Sequence, residues 1–275
     1  MNTIDAEATE AIRAADARLQ QAADTGVPCA PVRDLIGETD QDAAYAVQSL
    51  RTARRLAAGH RLVGRKIGLT SLAVQRQLGV DSPDFGVLFD DMIFADREPI
   101  DIGRFLQPKV EAEVAFVLGR DLDSPVAHVA DVLRATEFVL PAIEIVDSRI
   151  ADWDIRLADT IADNASSGAV VLGTTPRSLV GLDLGEVGAT LEHGGDPVST
   201  GSGAACLGSP VIAVAWLARE VARRGAPLRA GEVILSGALG PMVIARPGVH
   251  RARLDGLGDV HADFRASVSK EGATA

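Results

Sequence analysis

From Lys109 to Leu118 polar and apolar residues alternate, so a strand here carries Val110, Ala112, Val114 and Phe116 on one face and Lys109, Glu111 and Glu113 on the other. Phe138-Val-Leu-Pro-Ala-Ile-Glu-Ile-Val146 predicts a second strand, in which Glu144 is a lone charge between Ile143 and Ile145. Shorter apolar runs predict strands at Leu62–Leu69 and Glu232–Ser236, and loop and strand over Phe85–Phe94. Arg251–Phe264 reads as a hairpin turning at Asp255-Gly256.

Helical signals concentrate at the N-terminus. Ala6 to Ala23 is Ala-rich with charges spread round it. A second helix follows from a capping pair Thr39/Asp42, a stripe through Val47 and Leu50, Arg54 and Arg55 for the C-terminal dipole, and Gly59 as the stop. Further helices are predicted over Ser71–Leu78 (closed by Gly79), over Val126–Thr136, and after Ser209, where Pro210 takes the first position and Gly225 follows the end. Strands and helices do not alternate as βαβ units and no segment repeats, so the class is α+β. The division expected is a helical segment over 1–61, a β-rich catalytic body over 62–265 and a frayed polar tail over 266–275.

Composition narrows the function classes. The 275 residues are 47% hydrophobic, enough for a sizeable core. A net charge of -11 without any basic, aromatic-laced stretch argues against a nucleic-acid partner. Cys29 and Cys206 have no metal-ligand spacing and call for no disulfide framework. No signal-like N-terminus is visible, and no apolar run reaches the ~18 to 20 residues of a membrane span; the expected setting is cytoplasmic, away from membranes.

The three glutamates change the picture. Buried carboxylates need a shared counter-charge, most simply a divalent metal, and oxygen-only ligation favours Mg²⁺ or Mn²⁺ over zinc. Spacing alone also admits solvated glutamates on half-exposed strands. Lys66, between the glycines of Gly64-Arg-Lys-Ile-Gly68, reads either as a lysine reaching into a cavity for proton transfer or as a strand-end surface lysine. Asp84 sits in the turn-rich Asp81-Ser-Pro-Asp-Phe-Gly86, as a catalytic group or a turn cap. The loops Asp163–Gly168 and Ser236–Pro241 offer hydroxyls and amides to an anion, or simply turn the chain. The five histidines are scattered without paired spacing and read as surface or supporting residues.

Taken together, Gly64-Arg-Lys-Ile-Gly-Leu-Thr, Gln77-Leu-Gly-Val-Asp-Ser-Pro-Asp-Phe-Gly, Gln107-Pro-Lys-Val-Glu-Ala-Glu, Val139-Leu-Pro-Ala-Ile-Glu, Asp163-Asn-Ala-Ser-Ser-Gly and Gly237-Ala-Leu-Gly-Pro-Met resemble the 2-hydroxypenta-2,4-dienoate (2-oxopent-4-enoate) hydratases of the fumarylacetoacetase superfamily. The 4-oxalocrotonate decarboxylases are close relatives. The resemblance implies a fumarylacetoacetase-like mixed β-roll with an N-terminal helical segment, and a homo-oligomer often built from pentameric rings, with association with a neighbouring pathway enzyme as a further partner. It implies Glu111, Glu113 and Glu144 as ligands of Mg²⁺ or Mn²⁺, Lys66 and Asp84 as acid/base candidates, and Ser166 and Lys109 as substrate contacts; Lys109 stands where some relatives carry Arg. The implied activity is that of a hydro-lyase in the meta-cleavage catabolism of aromatic compounds, adding water to the dienoate or a close alkyl homologue to give a 4-hydroxy-2-oxoacid. Its rivals are a 4-oxalocrotonate-type decarboxylase, an acylpyruvate hydrolase and a non-catalytic partner subunit.

Overall fold

A computed structural model describes residues 3–72, 75, 76, 80 and 82–266. The helix expected over Ser71–Leu78 lies partly, and the tail beyond residue 266 wholly, outside the described residues.

Three helices open the chain: α1 (Thr3–Thr25), α2 (Arg33–Ile36) and α3 (Gln41–Ala57). The α3 cap falls one residue later than the sequence suggested. Asp40, not Thr39, accepts the backbone N–H of Ala43, because a carboxylate stabilises the helix N-terminus by charge as well as by hydrogen bonding. The buried stripe of α3 is Ala44, Tyr45, Val47 and Gln48, whereas Leu50, expected in that stripe, is exposed.

The strands follow as β1 (Leu62–Gly68), β2 (Asp84–Phe89), β3 (Ile93–Ala95), β4 (Pro99–Asp101), β5 (Lys109–Leu118), β6 (Thr136–Val146), β7 (Ser167–Leu172), β8 (Gly188–His193), β9 (Asp196–Ser202), β10 (Val233–Leu235), β11 (Val243–Ile244), β12 (Gly248–Leu254) and β13 (Gly258–Arg265). Interspersed are α4 (Val129–Ala135), α5 (Leu157–Ala162) and α6 (Pro210–Arg223). Ser209, Pro210 and Gly225 occupy the expected places around α6. The helix expected over Val126–Thr136 is shorter, since Thr136 already begins β6. Helix α5 was not anticipated.

One sheet runs β2-β1-β10-β5-β6-β7-β3, with β11 added to the start of β5; the other runs β4-β13-β12-β8-β9. Both mix parallel and antiparallel pairs, as in β1/β10 and β12/β13. The first sheet curls into a roll. Lys66 of β1 and Glu144 of β6 are three strand steps apart, about 14 Å on a flat sheet, where side chains standing perpendicular could not meet, yet their charged atoms lie 3.2 Å apart.

Register then decides what lines the roll. Residues directly opposite share a face, so Lys66, Leu235, Ala115 and Leu140 form one inward rung, and Glu111, Glu144 and Val170 another. One end of the interior is apolar, filled by Ala115, Leu140, Ala142, Val170 and Leu235. The other end holds the carboxylates. The outward face of β5 and β6, with Val110, Val114, Phe116, Ile143 and Ile145, belongs to the larger core shared with the helices and the second sheet.

Contrary to the sequence expectation, the stretch Gly203–Arg223 is long and apolar enough by composition to cross a membrane. Within it, Ala213, Val214, Leu217, Ala218 and Val221 of α6 are buried in the core.

Candidate metal and proton-transfer site

Glu111 and Glu113 stand two residues apart on β5 and therefore point together, and Glu144 is the register partner of Glu111. Ligand oxygens of the three lie within 4.8 Å of one another. Glu113 and Glu144 are fully buried and Glu111 half-buried. Glu113 Oε2 accepts the backbone N–H of Gly237 at 2.8 Å; Gly237 holds a φ of +101°, which favours glycine. Glu113 Oε1 and Glu144 Oε2 have no hydrogen-bond partner, and Glu144 Oε1 meets only the Lys66 ammonium, as an ion pair.

Lys66 supplies the nearest positive charge, with its ammonium 3.2 Å from Glu144 Oε1 and donating to Ala165 O at 3.0 Å. Asp84 joins from the other side, though not from the loop the sequence suggested: it is the first residue of β2, paired with Gly68. Its Oδ2 accepts the Thr160 hydroxyl at 3.0 Å and its Oδ1 has no hydrogen-bond partner. A Cβ at position 68 would collide with Asp84 Oδ1, which is why a glycine stands there.

Electrostatics follow from this burial. Removal from water pushes Glu111 up to about 7, with Glu144 adding repulsion, and also raises Glu113 and Glu144. Burial raises Asp84 too, against the pull of Lys66 and the Thr160 hydrogen bond. For Lys66, burial disfavours the charge, but Glu144, Asp84, Glu111 and Glu113 outweigh it and hold the ammonium protonated. Four carboxylates thus share Lys66 and, at the rim, Lys109, a deficit of two charges that one divalent cation would offset. The unpartnered glutamate oxygens suit such a cation, and an oxygen-only set suits a hard one.

Lys109 is half-buried on the same strand face, and its ammonium lies 4.1 Å from the centre of the Trp153 ring. Ser166 is buried with an unpartnered Oγ. It ends a turn in which Asn164, Ala165 and Ser166 all have left-handed φ, at 57°, 50° and 52°. That turn delivers the Ala165 carbonyl to Lys66. Arg149 and Asp163 clamp it from outside, Nε to Oδ1 at 2.5 Å, with Arg149 also donating to Ser167 O.

Three contributors escaped the sequence reading. Thr160 lies on the unanticipated α5, Gln48 is a buried helix amide that no motif singles out, and Cys206 gives no local signal although it is buried near Glu113, its thiol pushed up to about 12 by burial and then by that carboxylate. The histidines also differ from expectation in one respect: His250 is buried, its ring tilted against His193 with centroids 4.4 Å apart and edge-on to Phe264. A second cluster, His60, Asp90 and Asp91, also has metal-like spacing. There Arg61 and Arg55 already pair the aspartates near the surface.

The chain is 59% identical over 265 residues to the TodF product hydratase of Pseudomonas putida, covering 96% of this chain and 99% of the relative. It is 58% identical over 250 residues to a 2-keto-4-pentenoate hydratase of Paraburkholderia xenovorans, covering 90% and 93%. Among solved structures, the 4-oxalocrotonate decarboxylase of Pseudomonas putida G7, complexed with magnesium and adipate, superposes with a TM-score of 0.89 at 35% identity over 94% of this chain and 98% of that one. Residues 61–265 match the fumarylacetoacetate (FAA) hydrolase C-terminal family, and the chain belongs to it.

Proposed function

We propose that the protein is a hydro-lyase, dependent on a divalent metal, that adds water to 2-hydroxypenta-2,4-dienoate or a close alkyl homologue in the breakdown of aromatic compounds. The observation that carries the reading is the carboxylate end of the roll, where Glu111, Glu113 and Glu144 converge beside Lys66 and Asp84. The hydratase relatives at 58% and 59% identity supply the substrate class. Glu111, Glu113 and Glu144 hold the cation, Mg²⁺ or Mn²⁺. When bound, it supplies stabilisation of negative charge developing at the 2-oxygen of a 2-oxoacid.

The remaining work falls to the chain. Ketonisation moves the 2-hydroxyl proton to C5; water then adds with hydroxyl at C4 and hydrogen at C3, giving 4-hydroxy-2-oxopentanoate from the five-carbon substrate. Asp84, through its unpartnered Oδ1, takes the proton of the attacking water. Lys66, held as an ammonium by four carboxylates, donates the proton that C3 receives and is recharged by the proton Asp84 has taken, so neither group changes state over the turnover. Ser166 Oγ and the Lys109 ammonium at the rim contact the substrate. The apolar filling of the roll beneath the carboxylates excludes bulk water.

A decarboxylase is the second reading, favoured by the 35% identical 4-oxalocrotonate enzyme. The two separate in one assay. Metal-loaded protein bleaches the ultraviolet absorbance of 2-hydroxypenta-2,4-dienoate and forms the hydrated product, while 4-oxalocrotonate releases no CO₂ at a comparable rate. Turnover of the dicarboxylate alone, or full dienoate turnover in chelator, would sink the proposal. A homo-oligomer belongs to the same reading, supported by exposed Val126, Val129, Leu133 and Ile212 around the packed pair α4/α6; sedimentation at micromolar concentration checks it.

A further inference from the structure

Asp84 owes its orientation to residues outside the carboxylate trio. Thr160 of α5 holds one of its oxygens, leaving the other turned toward Gly68 and the Lys66 side of the roll. The alignment of α5 with β2 therefore decides where the free oxygen points. Gln48 of α3, 4% exposed, spans these two elements. Its side-chain amide donates to Phe85 O at 2.8 Å and to Ile161 O at 3.0 Å, the residues immediately after Asp84 and Thr160. Tyr45, on the same face of α3, stacks on the Phe85 ring at 4.6 Å. Both belong to the helical segment that precedes residues 61–265, the part matched by the family.

We propose that Gln48 is a positioning residue for proton transfer: by tying Phe85 to Ile161 it sets the Thr160–Asp84 hydrogen bond and so aims Asp84 Oδ1 at the reacting water. The N-terminal segment is then part of the catalytic unit. The inference rests on the reading of Asp84 as the base. A Gln48 that merely satisfied two buried carbonyls would influence stability alone.

The charged and titratable groups facing Asp84 are Lys66 from β1, Tyr45 from α3, Glu111 from β5 and Glu144 from β6. None of them is altered in the test. Thr160→Val removes the hydroxyl at constant shape, Thr160→Ser keeps it, and Gln48→Met keeps length and volume without donors. Gln48→Asn, with its amide one methylene short, gives the same readout where Met prevents folding. Full-length, Mg²⁺-loaded variants are assayed with 2-hydroxypenta-2,4-dienoate across pH, alongside Asp84→Asn.

Misaligned proton transfer lowers kcat by about tenfold to a hundredfold in the Gln48 and Thr160→Val variants, with KM within about twofold. Losing a hydrogen bond to a carboxylate moves the acid limb of kcat/KM upward by about one pH unit in Thr160→Val, and Thr160→Ser restores it. Gln48→Met or Gln48→Asn shifts the limb in the same direction. Wild-type kcat and pH profile in the Gln48 variants, with Asp84→Asn inactive, would overturn the inference alone. Wild-type turnover in Asp84→Asn would instead overturn the assignment of Asp84 as the base.

Discussion

Glu144 sits where three influences meet: the facing Glu111, the Lys66 ammonium, and apolar neighbours on its own strand. Truncating its charge therefore does more than remove one metal ligand. Glu144→Gln also takes away the partner of Lys66, leaving an ammonium in a buried setting with less to hold it charged. Glu111→Gln removes a ligand from the half-buried rim and leaves the Lys66–Glu144 pair intact. Both substitutions should weaken Mn²⁺ binding by more than the about 10–100-fold that groups merely supporting a ligand cost, and both should abolish turnover. Calorimetric titration with Mn²⁺ measures the first effect, and wild-type affinity in either variant would remove these glutamates from the metal site. The two differ in stability: the loss of the buried pair's partner makes Glu144→Gln the more destabilised of the two in chelator, readable as the lower Tm.

Among the elements, the left-handed turn Asn164-Ala165-Ser166 is the most demanding, because L-residues enter that region at a cost of roughly 1–2 kcal/mol each. Asn164 helps to offset it: its side-chain amide accepts from Val87 N at 2.7 Å and donates to Val87 O at 2.9 Å, clipping the turn to β2. Asn164→Ala should lose about 2–3 kcal/mol from these bonds and the poorer φ tolerance. Asn164→Gly recovers the backbone part alone, so urea melts should rank wild type, Gly, Ala; equal stability of all three would mean the turn is not held this way. Such features mark the limit of what was legible in the chain. The period-two alternation of β5 announced that strand and the shared face of Glu111 and Glu113, the apolar run around Glu144 announced β6, and the capping residues of α6 marked its ends. Helix α5, at six residues, is too short to display a period, and Ser82-Pro83 made Asp84 read as loop when it opens a strand. The meeting of Lys66 with Glu144 depends on the curl of the sheet, and the burial of His250 on packing between β8 and β13. Neither is a local property.

At the scale of the whole molecule, the buried ionisable groups pull stability in opposite directions with pH. Glu111 rises from an ordinary 4.5 to about 7 in the fold, so between those values the folded state binds more protons than the unfolded, and stability falls as pH rises, by roughly 3 kcal/mol at most. Glu113 and Glu144, also raised, act with the same sign. His250 moves the other way, from 6.5 down to about 4, through burial and then the nearby His193. The unfolded state binds the extra proton in that window, so stability rises with pH up to about 6.5. Below about 6.5 the contributions oppose each other; above it only the carboxylates act, and the metal-free protein should lose stability from pH 6.5 toward pH 8. A divalent cation in the glutamate trio stabilises their ionised forms and displaces protons, and at a hundredfold excess over Kd it adds about 2.7 kcal/mol. Chelated protein should therefore show a Tm that declines over this range, and Mg²⁺-saturated protein a flatter one, so that the cation's stabilising effect grows with pH. Thermal unfolding in EDTA and in Mg²⁺ at matched ionic strength tests this, and parallel pH slopes in the two series would mean that the cation does not bind through these carboxylates.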